Sequence, residues 1–222
     1  MSSASTRTST SPTRSSRKSP NATVLGVDPG TTGMGYAVLA GASVETLALR
    51  SSGVVPTPRD GTNAVRLLAV AKGLDALIRT HAPTAIAVER LFFNKNARTA
   101  MAVGEARGVA LLCAARAGVP VFEYTPQQVK LAVTGYGNAD KRAVQNMLRL
   151  LLRLEKPIRQ DDEADAAAVA LCHAQARPLE AALGLGAARQ GSWGPPRRGS
   201  AGGQSRAKRV PRSSIQAPEP NE

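Results

Sequence analysis

Short apolar runs alternate with helical stretches through the middle of this chain. The first run is Ala22-Thr-Val-Leu-Gly-Val-Asp28, closed by Pro29-Gly30, and an apolar stretch of this length ended by a turn predicts a strand. Gly35-Tyr-Ala-Val-Leu-Ala40 and a third run around Leu47–Val55 follow after turns. Their short links predict an antiparallel meander. From Thr62 to about Thr80 the period changes, and Val65, Leu68, Leu74, Leu77 and Ile78 mark one face of a helix. Ala85–Arg90 reads as the next strand, Arg98–Ala117 as an Ala-rich helix and Val119–Tyr124 as a fifth strand. Helical stretches then fall at Gln127–Val133, Lys141–Leu154 and about Ala164–Ala176. A meander followed by alternating helix and strand predicts an α/β fold, a mixed five-stranded sheet with helices on its faces.

Composition separates this core from its flanks. Residues 1–21 are Ser, Thr, Pro and basic, and residues 180–222 are rich in Gly, Pro, Ser and Arg. Neither flank offers enough apolar surface to offset its ordering entropy, so both are expected to be disordered tails around one domain at 22–179. The net charge of +13 points to a polyanionic partner. The flanks hold eight of those charges, with four basic groups and no acid in 1–21 and seven basic against three acidic groups in 180–222. The core therefore carries a weaker charge signal than the total implies.

No apolar stretch approaches the roughly 20 residues of a membrane span, and the N-terminus lacks a signal-peptide apolar region. No membrane association is expected. Cys113 and Cys172 stand in separate apolar helical stretches without metal-ligand spacing, which argues against zinc or a disulfide framework and fits reduced structural cysteines in a cytoplasmic protein.

Four carboxylates then claim attention. Alone, Asp28 before Pro29-Gly30 is a turn residue, Glu89 is a strand-end charge paired with an Arg, and Asp161-Asp162-Glu163-Ala-Asp165 is the acidic start of a helix. Together, two strand-borne acids and a pair at i, i+3 can converge at one end of the sheet. Carboxylates so placed raise one another's pKa unless a cation neutralises them. Oxygen donors without His or Cys suit Mg²⁺ or Mn²⁺.

Several separate blocks carry a resemblance to a known family. Gly26-Val-Asp-Pro-Gly-Thr-Thr-Gly-Met-Gly-Tyr36 resembles the opening motif of RuvC resolvases, and Ala87-Val-Glu-Arg-Leu-Phe-Phe-Asn-Lys-Asn-Ala97 is similar to their second carboxylate block. Gly104–Val109, Tyr124–Lys130, Gly135–Lys141 and Asp162–Ala170 follow with matching gaps, so the likeness spans about residues 23–176. It implies a ribonuclease-H-like fold and a Mg²⁺-dependent endonuclease that resolves four-way (Holliday) junction DNA by paired symmetric nicks, in recombination and repair. It further implies two ions per site, with Mn²⁺ as a substitute, a homodimer, and coupling to the RuvA–RuvB branch-migration complex.

By the same resemblance the catalytic, metal-binding residues are Asp28, Glu89, Asp162 and Asp165. Asp161 is a local competitor for the place of Asp162. Phe92 is assigned as a wedge stacking on an unpaired base, Phe93 as a packing residue, and Lys130 and Lys141 as cations near the scissile phosphate. The Gly104-Glu-Ala-Arg-Gly108 helix is assigned to the dimer interface, its alternative being packing on its own sheet.

Three rival readings remain. The Asp28–Gly33 loop resembles the first phosphate loop of actin-like ATPases, but too little foldable chain follows Asp165 for a second lobe. A ribosomal-RNA-processing nuclease on the same fold suits the Phe92, Lys130 and Lys141 blocks less well. An inert nucleic-acid-binding protein would lack part of the carboxylate set.

Overall fold

The computed structural model describes residues 22–30, 33–90 and 97–182. The sheet consists of β1 (Ala22–Asp28), β2 (Gly33–Gly41), β3 (Ala48–Pro56), β4 (Ala85–Glu89) and β5 (Val121–Tyr124). Its spatial order is β3-β2-β1-β4-β5. β1 to β3 form the expected antiparallel meander, whereas β4 runs parallel to β1 and β5 parallel to β4. This is the mixed five-stranded sheet that the sequence pattern predicts, with β1 at its centre.

Helices cover both faces. α1 (Asn63–His81) and α2 (Ala97–Ala117) lie on one side, and α3 (Pro126–Thr134), α4 (Lys141–Leu151) and α5 (Asp161–Ala182) on the other. Alternation along β1 explains the two cores. Val24 packs with Ala37, Leu39, Leu148 and the α5 alanines, while Leu25 and Val27 pack with Val70, Leu74, Ile78 and Cys113. β1 is thus buried on both faces. Both cysteines are free and buried, and burial pushes the Cys113 thiol up to about 11, far from the reactive range.

One apolar face departs from expectation. α1 buries Val70, Leu74 and Ile78, but Val65 and Leu68 are 46% and 54% exposed. They lie off the 3.6-residue stripe that meets the sheet, on the solvent side of the helix. At the other end of the chain α5 begins at Asp161 and runs to Ala182, longer at both ends than its apolar pattern shows. The terminal tails, and the loop carrying Phe92 and Phe93, lie outside the described residues.

Candidate active site

Because β1 and β4 are parallel and pair Val27 with Val88, their last residues, Asp28 and Glu89, finish side by side at the same edge of the sheet. Ligand sites in such sheets form beyond the carboxyl ends of the strands. Asp28 also pairs with Gly35 on β2. Neither Asp28 nor Glu89 makes an ion pair among the described residues, so the Arg partner expected for an isolated Glu89 is not there.

α5 brings the remaining acids by an unusually close approach. A Cβ on Gly35 would stand 2.0 Å from the carbonyl oxygen of Asp162, and one on Gly26 would stand 2.0 Å from that of Ala166 and 2.8 Å from Ala170 Cβ. Glycine on the strands and alanine on the helix are what allow the backbones to meet there. Ala164, Ala166, Ala167, Ala168 and Ala170 are all buried. The seat fixes where the first turn of α5 delivers its side chains.

The start of α5 sorts its four acids, three in the first turn and Asp165 just beyond it. The Asp161 carboxylate is exposed and accepts from Lys141 Nζ at 2.8 Å and from Gln145 Nε2 at 3.4 Å. Glu163 accepts from the Ser52 hydroxyl on β3. Asp162 and Asp165, half-buried, turn to the cluster instead, where their charges act on Asp28. The competitor Asp161 is therefore committed to the two α4 side chains. Gln145 was not singled out in the sequence, although its i, i+4 spacing from Lys141 places both on one helix face.

Neighbouring charges shift the acids in this cluster. Burial first, then the charges of Asp165, Glu89 and Asp162, raise the Asp28 pKa to about 7. Burial and Asp165 raise Glu89 to about 7, partly offset by Lys130. Asp165 is also raised, chiefly by burial and further by Asp161 and Asp162, with Lys141 and Lys130 opposing. Acids held this way favour a cation that would neutralise them.

Two helix starts supply the positive side. Thr125 closes a reciprocal capping box with Gln128 ahead of Pro126, so Lys130 sits just over one turn into α3. Asp140 caps α4 by accepting from Ala143 N at 2.7 Å, which makes Lys141 its first residue. The Lys141–Asp161 pair joins the N-termini of α4 and α5, whose dipoles both favour an anion between them. A cleft of about 170 Å³ opens there, lined by Glu89, Asp165, Asp161, Lys130, Lys141 and Gln145 among others.

The donor set fits a hard divalent ion: oxygen only, half-buried and mutually coupled. No three His, Cys, Asp or Glu side chains among the described residues stand in a ligating arrangement. The assignment therefore rests on donor chemistry and on the coupling. Of the seven site residues expected from the sequence, the structure brings Asp28, Glu89, Asp162, Asp165, Lys130 and Lys141 together. Phe92 lies outside the described residues.

Comparison with known proteins adds three findings. The family model described as crossover junction endodeoxyribonuclease RuvC matches residues 24–173. The protein of that description from Rubrobacter xylanophilus is 51% identical over 163 residues, covering 73% of this chain and 90% of its own, and that from Streptomyces avermitilis is 46% identical over 157 residues, covering 71% and 89%. Among solved structures, Thermus thermophilus RuvC in complex with a Holliday junction substrate aligns with a TM-score of 0.67 at 35% identity, covering 74% of this chain and 97% of that one. The yeast mitochondrial Holliday junction resolvase Ydc2 aligns at 0.52 with 13% identity over 72% and 82% of the two chains, a likeness of fold alone.

Proposed function

The chain belongs to the RuvC family of crossover junction endodeoxyribonucleases, and on that premise we propose that Asp28, Glu89, Asp162 and Asp165 form the catalytic centre of a Holliday junction resolvase. The observation that carries the assignment is geometric: Asp28 and Glu89 end adjacent parallel strands, the first turns of α5 bring Asp162 and Asp165 to the same place, and Glu89 and Asp165 line a cleft with Lys130 and Lys141.

In this reading the four acids hold Mg²⁺, two ions per site, with Mn²⁺ able to replace it. When bound, the metal supplies activation of water and stabilisation of charge on the leaving oxygen. The chain's own residues do the rest. Lys130 and Lys141 draw the scissile phosphodiester into the cleft and offset its charge as the nick is made. Asp161, which also accepts from Gln145, holds Lys141 at the mouth of the cleft. Phe92, three residues after the end of the Glu89 strand, stacks on a base unpaired near the cut.

Paired symmetric nicks require two such sites, and a homodimer built on α2 provides them. Arg107 of the Gly104–Gly108 motif is paired internally with Glu123, at 2.8 Å from Nε, and Glu105 accepts from Asn63. Among the described residues nothing lies within 4 Å of a Cβ built on Gly104 or Gly108, so these glycines do not serve packing on the sheet. Met101 and Leu112, on the same side of the helix, are 68% and 59% exposed. An open stripe of small and apolar residues suits a two-fold contact with a second copy. A cytoplasmic location, coupling to RuvA–RuvB, and tails that contribute charge without taking part in junction recognition complete the proposal. No helix among the described residues is long and apolar enough to cross a membrane.

The deciding experiment offers the purified protein, with Mg²⁺, a four-way junction, a duplex of the same sequence and an RNA hairpin. Paired nicks confined to the junction are expected. Equal cutting of duplex or hairpin would overturn the reading.

A further inference from the structure

A second recess lies across α3 from the catalytic cleft. It has a volume of about 480 Å³ and is lined by Gln127, Gln128, Leu131, Tyr136 and Asn138 among others, with no charged side chain. That volume is within the range of roughly 300–1,000 Å³ typical of ligand clefts. Tyr136 is 75% exposed and Leu131 57% exposed. The chain has only three tyrosines. Tyr124 is buried and bonded to His173, and Tyr36 packs over Gly53, so Tyr136 alone is given to the surface.

The backbone beneath the exposed ring is firmly held. Thr134 Oγ1 accepts from Tyr136 N at 3.1 Å and lies 3.0 Å from the Tyr136 carbonyl oxygen, while Gly135 takes a left-handed φ of 79° to close α3. The ring is thus presented on a pre-ordered turn, which lowers the entropy cost of engaging a partner. A flat aromatic face, a leucine beside it and amides able both to donate and to accept match the faces and edges of a nucleobase. Among the described residues the recess offers a phosphate no cation.

Position identifies the source of that base. α3 presents Val129 and Lys130 to the catalytic cleft and Gln127 and Leu131 to this recess. A strand held at Lys130 therefore has the recess within one helix width. We propose that Tyr136 and its flanking amides form a nucleobase site that stacks an unpaired base near the cut and contributes to the choice of cleavage sequence. The proposal rests on the junction-resolving reading above.

The test uses full-length protein carrying Asp165→Asn, which should bind without cutting, and four-way junctions with 2-aminopurine placed in turn at each position around the nick. With Tyr136 or Tyr136→Phe, one position should show quenched emission on binding, and a matched duplex should not. Tyr136→Leu should lose that quenching, weaken junction binding about tenfold, and, in otherwise wild-type protein, flatten the preference among junctions varied at that base. An unchanged melting temperature for Tyr136→Leu shows that the fold is kept.

If Tyr136→Leu leaves emission, affinity and base preference as they were, the proposal fails while the junction reading stands. If Tyr136→Leu instead shifts only the sedimentation of free protein, the surface is a contact between copies and the proposal fails. If the Asp165→Asn protein binds junction and duplex alike, the reading of the cleft fails and the proposal with it.

Discussion

Gly35 lies directly beneath the first turn of α5: a Cβ on it would stand 2.0 Å from the carbonyl oxygen of Asp162 and 2.9 Å from its Cβ. The strand that pairs with Asp28 therefore also sets the height at which Asp162 meets it. Gly35→Ala must push α5 away at its catalytic end, and Gly26→Ala must do so one turn further along, at Ala166 and Ala170. Both should cost about 1–3 kcal/mol, as overpacking does. Gly35→Ala should also slow single-turnover cutting by about a hundredfold, since a shift of about 1 Å at a site has that effect. Urea melts and single-turnover assays on both variants check this.

The raised carboxyl pKa values make a prediction about stability. Asp28 and Glu89 titrate near 7 in the folded chain, through burial and neighbouring acids, and near 4 when unfolded. The folded state therefore keeps protons that the unfolded state releases between about pH 4 and 7. The stabilisation is complete below about pH 4 and gone above about pH 7. In chelator the protein should melt higher at pH 5.5 than at pH 8. Asp28→Asn should raise the pH 8 melt by on the order of 1–2 kcal/mol, a discounted figure because the group is only half-buried. Added Mg²⁺ should stabilise the wild type and not the variant, and the variant should bind junctions without cutting them. A flat pH dependence in calorimetry would contradict the coupling.

Asp161 and Asp162 should separate cleanly. Asp161→Asn loses a charged partner for Lys141 but keeps an acceptor, so cutting should stay within about threefold. Its effect should shrink at high salt, because the pair is exposed. Asp162→Asn should reduce cutting by at least about a hundredfold at any salt. Rates at two ionic strengths decide between them.

Gly104 and Gly108 offer a test of assembly. Among the described residues the space above both is open, so Gly108→Ala should stabilise α2 by about 0.5–1 kcal/mol in a monomer. Gly108→Leu should instead block close approach by a second copy. The expected product is a folded monomer that nicks one strand and rarely the paired one. Sedimentation and a paired-nick assay read both properties.

Removing residues 1–21 and 183–222 should leave junction selection in place, because the family match lies within 24–173. Duplex affinity should fall and its salt dependence flatten, since fewer counterions are released per complex. Titrations of junction and duplex at several salt concentrations check this. Loss of junction preference would give the tails a part in recognition.

Much of the site was legible along the chain because its chemistry is carried by residue types that conflict with their surroundings. Asp28 and Glu89 end apolar strands, and Asp162 and Asp165 stand at the start of a helix of buried alanines. The strand count and the meander also followed from periodicity, since the alternation of Val24 and Leu25 is a local property. The exposure of Val65 and Leu68 was not legible, because apolar spacing marks a helix face without saying how much of it the sheet covers.

The order β3-β2-β1-β4-β5 needed the tertiary structure, and its parallel neighbours β1 and β4 are what place Asp28 beside Glu89. So did the division of labour in Asp161-Asp162-Glu163-Ala-Asp165. All of these acids suit a helix start equally, and their directions are set by contacts distant in sequence: Lys141 and Gln145 for Asp161, Ser52 for Glu163, Gly35 for Asp162. The sequence determined which groups are able to carry such chemistry, because charge and hydrogen-bonding capacity belong to the residue. The tertiary structure decided which of them meet, because proximity across more than a hundred residues is made by packing.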